Sequence, residues 1–220
     1  MIRTLAFCLL LLPLPAAART GAVHPDVPKQ IDAKARYVVF LHGKIVEDKG
    51  PRPRHERFGV YEYRQILDAL AAEGFQVISE ARPQGTDIER YAAKVASQVQ
   101  TLLRAGVPPE RVSVVGFSKG GGIAIMVSSR LRNDRVNFVF LAACGGWIFE
   151  QTQVRPSGRV LSIYEASDRG GVSCKPLLDR GGPGMRKKEI RIETGKEHGA
   201  FFQPRPVWLR PLAEWLRGAG

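Results

Sequence analysis

The 220-residue sequence is poor in the residue types that mark special classes of protein. It has 3 cysteines and 4 histidines, and neither type recurs at the spacing of a ligand cluster, which argues against a metal centre. Negative charge is also scarce, with 21 acidic residues against 33 lysines and arginines and a formal charge of +12. A pI near 10.1 raises nucleic acid or an anionic surface as partners. The cations are nevertheless dispersed, as in Arg130, Arg132 and Arg135 or Arg186, Lys187 and Lys188, and no nucleic-acid-binding motif accompanies them. There is no internal repeat, linker or low-complexity tract. With 44% hydrophobic residues and 8% aromatics, collagen-like, coiled-coil and multi-domain readings fall away, leaving one globular domain over residues 19–220.

Long apolar runs are missing too, except at the start. Residues 1–18 carry one cation, Arg3, an apolar stretch from Leu5 to Leu14, and the small residues Ala16, Ala17 and Ala18. This predicts a secretory signal peptide cut after Ala18 and a secreted or periplasmic chain without a membrane span. Pro13 and Pro15 interrupt the run, which is shorter than the roughly 20 residues of a spanning helix. Cys8 leaves with the leader, so Cys144 and Cys174 remain as a pair. In an oxidising compartment they either form a bridge between two loops or stay as two reduced thiols.

Short β-branched runs alternate with longer amphipathic stretches, the pattern of a parallel sheet with crossover helices. Strands are expected at Tyr37–Leu41, Phe75–Ser79, Val112–Val115, Val136–Ala142, Val160–Tyr164 and Glu189–Ile192. Most are predominantly apolar, as in strands covered on both faces. Helices are expected at Tyr61–Ala72, Ile88–Ala105, Gly120–Leu131 and Pro206–Arg217. Thr86 or Asp87 caps the second, which stops at Gly106 before Pro108 and Pro109. Residues 19–36 read as an irregular arm.

The strongest local signal is the run from Val112 to Ala124, in which a strand enters Gly116-Phe117-Ser118-Lys119-Gly120 and a helix follows at once. A serine in such a turn needs neighbouring glycines, because the strand and helix backbones approach where a Cβ would clash. Asp168 follows the strand Val160–Tyr164, and His198 lies in the loop after the last strand. Upstream, Val39-Phe40-Leu41-His42-Gly43 ends a strand in a His-Gly pair.

In these four elements the sequence resembles the α/β-hydrolase superfamily, whose nucleophile, acid and histidine follow one another in that chain order. The resemblance implies an α/β/α sandwich around a mostly parallel sheet of about six strands. It implies Ser118, Asp168 and His198 as catalytic residues, with an oxyanion hole built from the backbone N–H groups of Lys119 and of Lys44 or Gly43. It implies no cofactor, and a small-molecule acyl ester or thioester as substrate for a monomeric exported enzyme. The short stretch between Ala142 and Val160 leaves no room for a helical cap, so the chain is similar to the minimal cores of cutinases and dienelactone hydrolases. The latter use cysteine where this chain has Ser118. The sequence departs from the lipases with a His-Gly-Gly-Gly run, and the strands that usually precede the His-Gly strand are missing.

His42, Glu47, Arg82 and Trp147 are the expected substrate-binding residues, and His42 also supports the oxyanion loop. The cation that follows the nucleophile, Lys119, suggests an anionic substrate. Competing readings are a catalytically inactive hydrolase-fold binding protein of the cell envelope and a surface binder driven by charge.

Overall fold

Strands with apolar residues on both faces must be covered on both faces. The computed structural model, which describes residues 21–218, meets that requirement with a parallel sheet between two helical layers. The expected leader, residues 1–18 with Cys8, lies outside the described residues. In chain order the elements are β1 (Ala22–His24), β2 (Tyr37–Leu41), α1 (Lys44–Lys49), β3 (Arg54–His55), β4 (Gly59–Val60), α2 (Tyr63–Ala72), β5 (Gln76–Ile78) and α3 (Ile88–Arg104). There follow β6 (Val112–Phe117), α4 (Lys119–Leu131), β7 (Asn137–Leu141), α5 (Gly146–Glu150), β8 (Arg159–Glu165), α6 (Lys175–Leu178), β9 (Arg186–Ile192) and α7 (Pro206–Arg217).

The sheet runs β1-β5-β2-β6-β7-β8-β9, and all neighbours are parallel. Alternation along β2 divides the core. Tyr37, Val39 and Leu41 face the layer of α3 and α4, where Val95, Val99, Leu102, Ile123 and Val127 are buried. Val38 and Phe40 face the layer of α2 and α7, where Ile66, Leu70, Trp208 and Leu212 are buried. Each fully buried side chain of this size contributes about 2 kcal/mol by leaving water.

The six expected strands are present, and a seventh joins them. β1 falls in the segment read as an irregular arm and pairs Ala22, Val23 and His24 with Gln76, Val77 and Ile78. Gly21 lets it enter that edge, since a Cβ there would stand 2.3 Å from the carbonyl oxygens of Ala71 and Phe75. β9 begins three residues earlier than the apolar pattern suggested, with exposed Arg186, Lys187 and Lys188 on the opposite edge strand. Cations there hinder edge-to-edge pairing with another sheet. Asp87 caps α3, accepting the Arg90 N–H at 2.8 Å. The charged stretch after Gly43 is α1 followed by the antiparallel β3–β4 hairpin.

Cys144 and Cys174 form a disulfide, with their Cα atoms 5.2 Å apart. It joins the loop after β7 to the start of α6 and closes off the segment that carries Asp168. Among the described residues no helix is long and apolar enough to cross a membrane.

The parallel register sets the carboxyl ends of the strands side by side. Leu41 pairs with Gly116, Phe117 with Leu141, and Glu165 with Ile192. The loops carrying His42, Ser118, Asp168 and His198 therefore leave the same edge of the sheet, the edge at which open parallel sheets bind ligands.

Candidate active site

Ser118 links β6 to α4 with φ 54° and ψ −120°, in the left-handed half of backbone space that few side-chain-bearing residues occupy. The flanking glycines make this turn possible. A Cβ on Gly116 would lie 2.1 Å from the Gly120 carbonyl oxygen, and one on Gly120 would lie 2.0 Å from that of Leu41. The Ser118 N–H donates to the Leu141 carbonyl at 3.0 Å, which anchors the turn to β7 and occupies the serine's own amide. Lys119 begins α4, so its N–H is among the first-turn amides that have no partner within the helix. Gly43 packs over the Ser118 turn, because a Cβ there would come within 3.6 Å of Ser118 Cβ and 3.0 Å of the Phe117 ring. The backbone at Gly43 thus passes beside the serine, and Lys44 follows it as the first residue of α1.

His198 sits in a 3₁₀ turn, Glu197–Phe201, after β9. Its Nδ1 donates to Asp168 Oδ2 at 2.6 Å, which leaves Nε2 as the nitrogen with a free lone pair. The imidazole lies 4.8 Å, centroid to centroid, from the ring of Phe117, the residue immediately before Ser118. The β3–β4 hairpin braces the turn from outside. Phe58 occupies the space that a Cβ on Gly199 would need, and Arg57 forms an ion pair with Glu197, itself at φ 50°.

Asp168 is buried and also accepts the Gly170 N–H at 2.8 Å. Burial alone raises a carboxyl pKa. Here the hydrogen bond and charge of His198, with amides from Gly170 and Gly171, outweigh it and hold Asp168 below its ordinary value. Asp168 is therefore the carboxylate joined to the histidine, not its neighbours in sequence. Glu165, also buried, accepts N–H groups from Ser167, Thr194 and Gly195 at 2.7, 2.8 and 2.9 Å, tying the acid loop to the loop that leads to His198. Asp179 lies on the surface, held down to about 2 by hydrogen bonds from Lys175 and Lys187. Of the other histidines, His24 bonds to Gln76 and His55 stacks on Phe58.

Three of the four residues expected to touch substrate are inside the protein, which corrects that assignment. His42 is fully buried, and its Nε2 accepts the Arg82 N–H at 2.8 Å. The proton therefore sits on Nδ1, which donates to the Gly43 carbonyl at 2.8 Å. Burial and the neighbouring Arg82 charge push the His42 pKa from 6.5 down to about 3, so the ring is a neutral brace for the loop at Gly43. Glu47 and Arg82 have side-chain exposures of 0% and are joined by a 2.8 Å bond from Nε to Oε1. With no accessible surface, neither meets a ligand.

Lys119 is also committed inward. Its Nζ donates to Glu47 Oε2 at 2.5 Å and to the Thr86 carbonyl at 2.6 Å. Its charge is paired and therefore gives no reason to expect an anionic substrate. Trp147 is on the surface at 39% exposure, and its indole lies over Gly122 in the first turns of α4. Sequence reasoning missed the roles of Glu47 and Glu165, since nothing in the linear order joins Glu47 to residues 35 and 72 positions away.

No protein-family model and no curated protein matches the chain. Solved structures do. Arabidopsis thaliana SOBER1 is similar at 13% identity and TM-score 0.55, over 84% of this chain and 99% of that one. A structure of an arylesterase is similar at 12% identity and TM-score 0.57, over 88% of this chain and 79% of that one. Esterase PE8 is similar at 16% identity and TM-score 0.58, over 90% of this chain and 97% of that one. At these identities the likeness speaks to architecture, and the architecture is the α/β-hydrolase fold.

Proposed function

We propose that the protein is an exported serine hydrolase that cleaves carboxylic ester or thioester bonds through an acyl-enzyme on Ser118. The observation that carries this reading is the 2.6 Å bond between His198 and Asp168, with the His198 ring 4.8 Å from that of Phe117, the residue before a serine held at positive φ. The likeness to solved esterases supports an ester-cleaving chemistry, and the Cys144–Cys174 disulfide supports an oxidising compartment.

The chemistry follows from the groups present. Ser118 Oγ attacks the acyl carbon while His198 Nε2 takes the hydroxyl proton, and the Oγ–C bond forms as the carbonyl becomes an oxyanion. Asp168 keeps the imidazole in the tautomer that accepts at Nε2 and stabilises the imidazolium. The amides of Lys119 and Lys44 receive the oxyanion, and one such donor lowers the barrier by about 3 kcal/mol. Collapse breaks the bond to the leaving oxygen or sulfur, which takes the proton from His198. Water then repeats the sequence, releasing the acid and regenerating the Ser118 hydroxyl.

Turnover of p-nitrophenyl esters of increasing acyl length, measured beside thioester and anilide analogues, tests the reading. Short esters and thioesters are expected to be hydrolysed, and anilides much more slowly. A folded chain that turns over none of them contradicts the proposal and favours an inactive binding protein on this fold.

A further inference from the structure

The oxyanion reading leaves a mechanical question. Its two amides come from segments far apart in sequence, Lys44 after β2 and Lys119 at the start of α4, and their separation must be held to a few tenths of an ångström for both to meet one oxygen. Glu47 lies on the segment that begins with Lys44, and its carboxylate reaches across to the side chain of Lys119. Its other oxygen binds Arg82, whose guanidinium also donates to the His42 carbonyl and whose backbone N–H holds the His42 ring. One buried carboxylate thereby ties together both segments that carry the amides.

We propose that Glu47, through its bonds to Lys119 and Arg82, is a positioning residue that sets the spacing of the two oxyanion amides. This inference rests on the reading of Ser118 as nucleophile. Neither the glutamate nor the lysine side chain touches the substrate; both act through the backbone at Lys44 and Lys119. Surface exposure fits such a strut, at 0% for the Glu47 side chain and 15% for that of Lys119. The alternative roles are different in kind. A cation that recruits anionic substrates would be exposed and unpaired. A cluster that merely supplies positive potential would act in proportion to its net charge, which is one positive unit for Glu47, Arg82 and Lys119 together.

Two variants change that charge in opposite directions while removing the same Glu47–Lys119 ion pair. Glu47→Gln makes the cluster more positive, and Lys119→Met makes it less so. The positioning role predicts that both lower kcat tenfold or more with KM changed less than threefold. It predicts equal losses for matched neutral and carboxylate-bearing esters. Affinity for a boronic acid, which forms a tetrahedral adduct on the serine, should fall by the same factor as kcat/KM.

Lys119→Met leaves Glu47 paired with Arg82, so it carries the test if Glu47→Gln does not fold. Unchanged kcat in a folded Lys119→Met variant would overturn the proposal. So would a rise in kcat with Glu47→Gln, which marks a field effect, or a loss confined to the carboxylate esters, which marks substrate recognition. The underlying reading fails separately, if Ser118→Ala retains full turnover.

Discussion

Replacing Ser118 with alanine is expected to lower kcat on p-nitrophenyl butyrate by up to about six orders of magnitude, the scale seen when a serine nucleophile is removed from an intact triad. The fold should survive, because the Ser118 N–H bond to Leu141 and the close packing of Gly116 on Gly120 belong to the backbone and are kept by alanine. The residual rate should not vanish. Oxyanion donors and binding alone retain about 10³–10⁴ over water. Steady-state turnover with the thermal midpoint as a control for folding checks this, and a folded variant with a tenth of wild-type kcat would rule out covalent catalysis on this residue.

Asp168→Asn should be the next most damaging change, at about 10⁴ in kcat with KM little altered. The carboxylate accepts at Oδ2 from His198 Nδ1 and at Oδ1 from Gly170 N–H. An asparagine has only one oxygen to offer and turns an N–H donor toward whichever partner is left. If the amide nitrogen faces His198, the imidazole must carry its proton on Nε2 and can no longer take one from Ser118. Asp179→Asn serves as the matched control. Asp179 has lysine partners on the surface, so its loss should leave kcat within about twofold, since an exposed pair contributes little. Equal effects of the two substitutions would detach Asp168 from the chemistry.

Much of the fold could be read from the sequence because a parallel sheet buried on both faces writes its strands as mostly apolar runs. Val112–Phe117 and Asn137–Leu141 are buried at every position, and both runs stand out in the sequence. β1 could not be read, since three residues pairing on an edge have no pattern of their own. The first half of β9 reads as a loop because an edge strand tolerates Arg186, Lys187 and Lys188 facing water. The hairpin after α1 is disguised by Pro51, Pro53 and four arginines and lysines around them.

At the site, the strand-to-helix turn at Ser118 and the meeting of Asp168 with His198 were legible through their positions after successive strands. Glu47, Arg82 and Lys119 were misread for one shared reason. Charged side chains in loops are almost always solvated, and the exception, a mutually paired buried cluster, depends on contacts between α1, the loop after β5 and α4 that only the folded chain creates. His42 was half legible, as a support for its loop, but its burial and neutral state follow from Arg82 closing over it.

Covalent labelling tests whether Ser118 is a nucleophile activated by His198. A fluorophosphonate incubated with the folded protein transfers its phosphonyl group to an activated serine and loses fluoride. One adduct is expected by intact mass, located on Ser118 by peptide mapping and lost in His198→Ala. A folded protein that takes up no label, or one labelled at another serine while Ser118 stays unmodified, would contradict it.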